Sequence, residues 1–391
     1  MVIVEALVLL YFVYVVSYTF IFSFAGLFYG NPIAASKTHK KFAVFIPAYK
    51  EDSVIVGVAQ KALTQSYPNE FYDVIIIADS LQHETILKLR ELPIIVVEVK
   101  FESSTKVKSL NEALRQVSDN YDYAIILDAD NVMLPDFIER INAAHQGGLS
   151  AIQGQRLPKN TNSTLSFLDG LSEAINNHIY RQGTTALGLS ASINGSGVSF
   201  EFHTFKRLLS GMNSIGGFDR ELELLLLENK IKVVYYKDAK VLDEKVEKTA
   251  VFENQRKRWI SSQYHYLGKY FNSGVVALFK GNFTYFNSSV LRNIQLPRLI
   301  NLGLLGILPI ALYFIRGYLF FGYAVWPVLL AIMILSMFFA TPREYYSWEM
   351  VKAIAKLPGL FLRMFLLLFK LKGANKKFIH TPHGTTSETS K

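Results

Sequence analysis

The sequence predicts an α/β domain with a mostly parallel sheet, carried between membrane-associated helices. Three observations predict it. Long uncharged runs collect at the two ends of the chain, strand-like and helix-like segments alternate between them, and acidic residues recur where the strand-like segments stop. In α/β architectures with right-handed crossovers, ligands gather at those strand ends.

The chain has 391 residues, half of them apolar, with no cysteine. That length allows two or three domains, or one large domain plus membrane segments, and the composition excludes a disordered chain. The missing thiols exclude disulfides, thiolate metal sites and a cysteine nucleophile. Lys plus Arg exceed Asp plus Glu by 41 to 32, a net charge of +9. No basic helix or aromatic ribonucleoprotein motif accompanies that excess, so nucleic acid is not the expected partner.

Ala6 to Ser36 is 31 residues without a charge. About 20 apolar residues cross a bilayer core, and a cleaved signal peptide has a basic start and a shorter run, so 1–36 predicts a retained transmembrane helix. Leu299–Ile315 and Gly317–Pro342 are uncharged over 17 and 26 residues. Separated by Arg316 alone, they predict a transmembrane hairpin over 297–342 with a very short turn. Pro358–Phe369 is too short to span and predicts an interfacial or re-entrant helix within a basic 343–391 segment. Lys37, His39, Lys40 and Lys41 follow the first span; Lys269, Lys280, Arg292 and Arg298 precede the second. Basic flanks favour the cytoplasmic side, which places 37–296 and the tail there.

Within that block the order runs strand 42–47, helix 53–64, strand 73–79, helix 81–92, strand 94–100, helix 106–117, strand 123–130 and helix 135–145. Buried parallel strands read as short continuous apolar runs, as these do. Asp128 and Asp130 bracket one alanine at the end of the fourth run. Strand alternation predicts that both carboxylates point to one side, where a divalent ion bridges them to two phosphates. Alone, an Asp-x-Asp is more often an ordinary solvated loop than a metal site. His380 and His383, three residues apart without an acidic partner, do not make a metal site.

Five elements in order over about 215 residues then converge: Pro47-Ala48-Tyr49-x-Glu51, Asp79, Lys106 with Asn111, Asp128-Ala129-Asp130, and Gln255-x-x-Arg258-Trp259. In them the chain resembles the membrane-bound family 2 glycosyltransferases, cellulose synthase-like and hyaluronan synthase-like. The resemblance implies a GT-A fold, a Rossmann-like mixed sheet with flanking membrane and interfacial helices. It implies a GT-A catalytic domain over 37–260, interfacial helices over 261–296, and a hexosyltransferase that inverts the transferred sugar. The donor would be a nucleotide sugar, a UDP-sugar ahead of a GDP-sugar, and the cofactor Mg2+ or Mn2+. Pro47, Ala48, Tyr49, Glu51 and Asp79 would hold base and ribose, Lys106 and Asp128 the rest of the donor, and Asp128 and Asp130 the metal. Gln255, Arg258 and Trp259 would meet diphosphate and acceptor; Arg suits phosphate and Trp suits a sugar ring.

An inverting displacement needs a base for the acceptor hydroxyl. The resemblance puts it on Asp219, with Glu221 and Glu223 as alternatives. The family's preceding Glu is Phe218 here, and Asp219 also suits a plain helix N-cap. Asn194–Gly197 predicts a tight turn near the acceptor. The acceptor itself is a polysaccharide or a lipid-linked molecule. Three spans are fewer than polymer-secreting relatives carry, so a self-made channel would need an oligomer. The resemblance also implies a bacterial inner membrane. A non-catalytic scaffold on a transferase fold is the alternative, supported by Phe218 alone; a transporter fails on its count of spans.

Overall fold

A computed structural model describes residues 2–31 and 38–371. Lys37, Lys372, Lys376, Lys377, His380 and His383 lie outside the described residues. The chain opens with α1 (Val2–Gly26) and enters the sheet at β1 (Phe42–Tyr49). Then follow α2 (Ile55–Ala62), β2 (Tyr72–Asp79), α3 (His83–Arg90), β3 (Ile95–Val99), α4 (Lys106–Gln116), β4 (Tyr123–Ile126), β5 (Val132–Met133) and α5 (Phe137–Gln146). The expected alternation is present through α5. It forms because each strand is an apolar run closed by Pro, Asp or Ser, and each helix carries one apolar stripe.

Beyond α5 come β6 (Ala151–Pro158) and α6 (Thr164–Asn177), which passes through a π-helical turn into α7 (Thr184–Ala186). Next are β7 (Val198–Glu201), α8 (Phe202–Ser210), α9 (Phe218–Glu228) and β8 (Val233–Asp243). One eight-stranded sheet runs β3-β2-β1-β4-β7-β6-β8-β5. β1 pairs parallel with β2 and β4, and β6 with β8, whereas β7 is antiparallel to both its neighbours. The sheet is therefore mixed. Apolar layers cover both faces, one centred on Phe45, Ile75, Leu110 and Phe200, the other on Ile46, Ile76, Phe137 and Val241.

His145, on α5, joins that second face to β7. Its ring stacks on Tyr123 at 3.7 Å, and its nitrogens meet Leu149 O at 2.5 Å and Ser199 Oγ at 2.8 Å. Burial pushes its pKa down to about 4. The folded state thus binds the proton less well than the unfolded chain, whose histidine titrates near ~6.5. Stability is full above that value and falls as pH drops towards 4, by about 3 kcal/mol in all. Thermal midpoints taken from pH 7 to pH 4.5 should decline; in His145→Gln the decline over this window should be clearly shallower, the remainder belonging to His178, whose pKa burial also lowers. Equal slopes in both proteins would refute the assignment.

The remaining helices stand to one side of the sheet. α10 (Thr249–Phe279) runs 31 residues without a break, across the predicted boundary at 260. Its Tyr266 and Tyr270 are buried against Leu224 and Leu227 of α9, so this face of 261–271 packs on protein. α11 (Phe283–Phe286) and α12 (Arg292–Ile294), joined by a π-helical turn, lead to α13 (Arg298–Tyr313), α14 (Val325–Ala340) and α15 (Trp348–Leu368). Phe12, Val16, Leu305, Trp326 and Met333 bring α1, α13 and α14 together.

Two expectations change here. The link between α13 and α14 is not a short turn at Arg316: both helices stop early, and residues 314–324 connect them. Glu5 helps hold that link by accepting from Phe320 N at 2.9 Å and Phe321 N at 3.1 Å. The third apolar run, in turn, belongs to a 21-residue helix that begins at Trp348 and continues through Pro358. By length and composition only α1 is apolar enough to cross a membrane among the described residues. The bent pair Phe283–Ile294 and Arg298–Tyr313, meeting at 56°, makes a second if it counts as one span.

Candidate active site

β1, β2 and β4 end on one edge of the sheet, and a cleft of about 1030 Å³ opens above them. Pro47, Tyr49, Glu51, Asp79, Lys106, Asp128, Asp130, Asp219, Gln255, Arg258 and Trp259 all line it. Ala48 does not; its side chain is fully buried in the core beneath. Both strand ends kink sharply: Lys50 and Ser80, each following a site residue, have φ of 56° and 58°. Left-handed backbone at non-glycine residues is uncommon and clusters at functional sites. Asp79 is buried and accepts from Ser80 Oγ at 3.0 Å and Ser109 Oγ at 3.3 Å.

β4 stops at Ile126, so Asp128 and Asp130 stand in the turn beyond it rather than on a strand. Strand alternation therefore does not aim them. A hydrogen-bond web does. Asp128 N donates to Ser196 Oγ (2.9 Å), whose hydroxyl donates to Asn131 Oδ1 (2.5 Å). Asn131 Nδ2 then reaches Asp130 Oδ1 (3.2 Å) and Asp243 Oδ1 (2.9 Å). Lys106 Nζ bonds Asp128 Oδ1 at 2.5 Å and Gly195 O at 2.8 Å. Ser196, Asn131 and Asp243 had no assigned role in the sequence. Their signal was the polar pair inside INGSG and the Asn closing LDADN.

Gly195 has φ 80°, which glycine adopts without strain, and a side chain there would stand 3.6 Å from Asp219 Cβ. The turn, Lys106 and Asp219 are thus neighbours. Lys106 Nζ also sits 5.4 Å from the centre of the Phe218 ring, so the departure at 218 supplies a cation–π face. Asp219 is the second residue of α9. The N-cap is Gly217 in left-handed conformation, with no side-chain cap, so Asp219 is not spent as a cap. Among the described residues Asp219 makes no hydrogen bond or ion pair. The alternatives are occupied: Glu221 is held by Lys269 and by Tyr266 OH at 3.3 Å, and Glu223 by Arg292 at 2.8 Å.

From α10, Arg258 faces Asp128 and Asp219 together. Burial pushes its guanidinium pKa down, and those two carboxylates oppose the shift. Gln255 Oε1 is buried and finds no donor among the described residues. Trp259 lines the cleft, but Arg256 covers one face of its ring at 4.4 Å while pairing with Asp169. The back wall is a buried ionic web of Arg156, Glu173, Arg181, Asp243 and Lys245. The sequence had not singled these residues out.

The sequence model for the family described as "Glycosyltransferase like family 2" matches residues 39–262, more than half the chain. Curated proteins give no match. Among solved structures, the mannosyltransferase PcManGT from Pyrobaculum calidifontis, in complex with GDP-Man and Mn2+, is 15% identical, with a TM-score of 0.58. The alignment covers 94% of this chain and 97% of that one. TarS residues 1–349 from S. aureus, in complex with UDP, is 13% identical with a TM-score of 0.36, covering 56% of this chain and 64% of that one. The mannosyltransferase likeness extends over the helices beyond the sheet and bears on fold alone, whereas the match at 39–262 spans every motif that lines the cleft: the chain belongs to the glycosyltransferase-like family 2, built on a GT-A-type sheet.

Proposed function

We propose that the chain is a membrane-bound, inverting hexosyltransferase of the cellulose synthase-like and hyaluronan synthase-like kind. It would move a sugar from a nucleotide sugar to a hydroxyl of a polysaccharide or lipid-linked acceptor at the cytoplasmic membrane face. The observation that supports this reading is that Lys106, Asp128, Asp219 and Arg258 line one cleft, with Lys106 bonded to Asp128 and to Gly195 beside Asp219. The donor-side carboxylate and the carboxylate proposed as base thus share a cleft with two cations, Lys106 and Arg258.

In the proposed reaction the donor base and ribose lie along Pro47–Glu51 and Asp79. The acceptor oxygen gives its proton to Asp219 as it attacks the sugar's anomeric carbon. The bond from that carbon to the diphosphate breaks on the opposite side, its electron pair leaving with the nucleoside diphosphate. Lys106 and Arg258 meet the charge that develops there. Asp128 and Asp130 offer only oxygen donors, which suit Mg2+ or Mn2+. No cluster of three or more His, Asp or Glu ligands exists among the described residues, and two carboxylates suit an ion that shares its shell with substrate phosphates. A bound ion would supply further positive charge to the leaving group.

The test is nucleotide release by detergent-purified full-length protein, offered UDP- and GDP-sugars with Mn2+ or Mg2+ and a membrane lipid extract. Release with one donor, lost on chelation and restored by the ion, is the expected result. Failure to bind any nucleotide in the presence of metal would leave the scaffold alternative.

A further inference from the structure

The cleft continues past the donor side into a second, differently built compartment. Its floor holds three arginines from three segments, Arg220 of α9, Arg292 of α12 and Arg298 of α13. Tyr180 is an electrostatic neighbour of all three. Their neutralisation is uneven: Glu223 pairs with Arg292 and, with Asp219, acts on Arg220, while Glu173 is the carboxylate that acts on Arg298. Arg292 pairs with Glu223, yet its side chain is only 9% exposed and its Nη1 has no partner. Arg220 reaches Asn293 Oδ1 at 2.7 Å. Arg298 reaches Asn176 Oδ1 at 2.8 Å and Ser172 O and Oγ at 3.2 Å. Among the described residues neither Arg220 nor Arg298 forms an ion pair. Burial, with Arg292 adding repulsion, pushes the Arg220 guanidinium below its ordinary pKa. Cations held this way cost free energy unless an anion completes them.

From there the walls turn apolar. Leu299, Leu302, Ile334, Phe338, Ile354 and Leu357, from α13, α14 and α15, line the remainder. Ile334, Phe338 and Ile354 are at least half exposed, so this arm opens onto the outward faces of α14 and α15. An anion site at the foot of an apolar arm fits one kind of molecule, a phosphate carried on a long hydrocarbon chain. Arg220 follows Asp219 directly in the chain.

We propose that the acceptor is carried on a phosphorylated lipid, its phosphate held by Arg220, Arg292 and Arg298 and its chain in the apolar arm. The acceptor hydroxyl is thereby presented to Asp219. This rests on the transferase reading of the cleft and chooses between its two acceptor classes. Arg220, Arg292 and Arg298 bond Asn293, Glu223, Asn176 and Ser172, whereas the donor-side Lys106 bonds Asp128 and Gly195, so the two sets of cations have separate partners.

The test is a titration of full-length protein in detergent with farnesyl phosphate, farnesol and inorganic phosphate, with nucleoside diphosphate plus Mn2+ measured in parallel. Farnesyl phosphate should bind at least about tenfold tighter than either fragment, over farnesol by the size of one charge-assisted hydrogen bond and over inorganic phosphate by burial of the chain. Arg298→Gln should lose about tenfold in farnesyl phosphate affinity, Arg298→Lys should lose less, and the nucleotide should be unaffected by both. Should Arg298→Gln fail to fold, Arg220→Gln carries the same comparison. Equal binding of farnesol would remove the anion site, and equal binding of inorganic phosphate would remove the lipid chain. A parallel loss of nucleotide affinity would give these arginines to the donor. Farnesyl phosphate binding without any nucleotide binding would sink the transferase reading, and the acceptor role with it, and leave only the lipid-phosphate site standing.

Discussion

Asp219→Asn is expected to lower kcat by about two to four orders of magnitude while leaving nucleotide affinity unchanged. The substitution keeps the side chain's size and removes its ability to take a proton. Three features of the fold single out this carboxylate. It stands beside the Gly195 turn, within the neighbourhood of Lys106 and Arg258. It makes no hydrogen bond or ion pair among the described residues, so its oxygens are available to an acceptor. Its rivals on α9 are committed, Glu221 to Lys269 and two tyrosines, Glu223 to Arg292 and the Ile193 amide. Glu221→Gln and Glu223→Gln should therefore act on stability before turnover. An interaction made only in the transition state lowers kcat and kcat/KM together. Near-normal turnover in Asp219→Asn, with loss in Glu221→Gln or Glu223→Gln, would move the base to that residue.

Much of this site is legible in the chain because β1, β2 and β4 are buried on both faces. Such strands must be continuous apolar runs, and their ends are marked by the first polar residue. β6 escapes the same rule. It reads AIQGQRLP, because Gln153 and Arg156 serve buried hydrogen bonds and ion pairs instead of an apolar face. Asp128 and Asp130 both line the cleft, but strand alternation is not what brings them there. β4 ends two residues short of Asp128, and Ser196 and Asn131, remote from each other in sequence, fix the turn. Arg292 and Arg298 show where charge counting stops. As flanks of an apolar run they read as signs of membrane orientation, yet both turn inward to the cleft. Only the packing of α6, α9, α12 and α13 brings them to one place.

The back wall of the cleft supplies the largest expected loss of stability. Glu173 accepts from Arg156 Nη2 at 2.8 Å and from Arg181 Nη1 at 3.1 Å, with its side chain 8% exposed. Arg156 also lies 3.7 Å from Asp243, whose second partner is the buried Lys245 at 2.6 Å. Three cations thus share two carboxylates in a wall with little access to water, so removing one carboxylate leaves at least one guanidinium uncompensated. Glu173→Ala should destabilise the protein by about 3–5 kcal/mol, seen as a lower thermal midpoint in detergent. The double variant Glu173→Met with Arg181→Met should recover much of that loss, because a buried pair is replaced by apolar groups more cheaply than it is broken. Burial works against ionisation of Glu173, but Arg156 and Arg181 outweigh it and hold the carboxyl well below the usual range. Its contribution is therefore full above the unfolded value near ~4.5 and is lost as pH falls below it. That window lies under the one assigned to His145, so a pH series separates the two. Asp243 also anchors Asn131, and through it Asp130, so Glu173→Ala should weaken nucleotide binding together with stability. An unchanged thermal midpoint in Glu173→Ala would mean that water or a rearranged Asp243 already neutralises Arg156 and Arg181, and the wall would no longer account for the rigidity of the donor side.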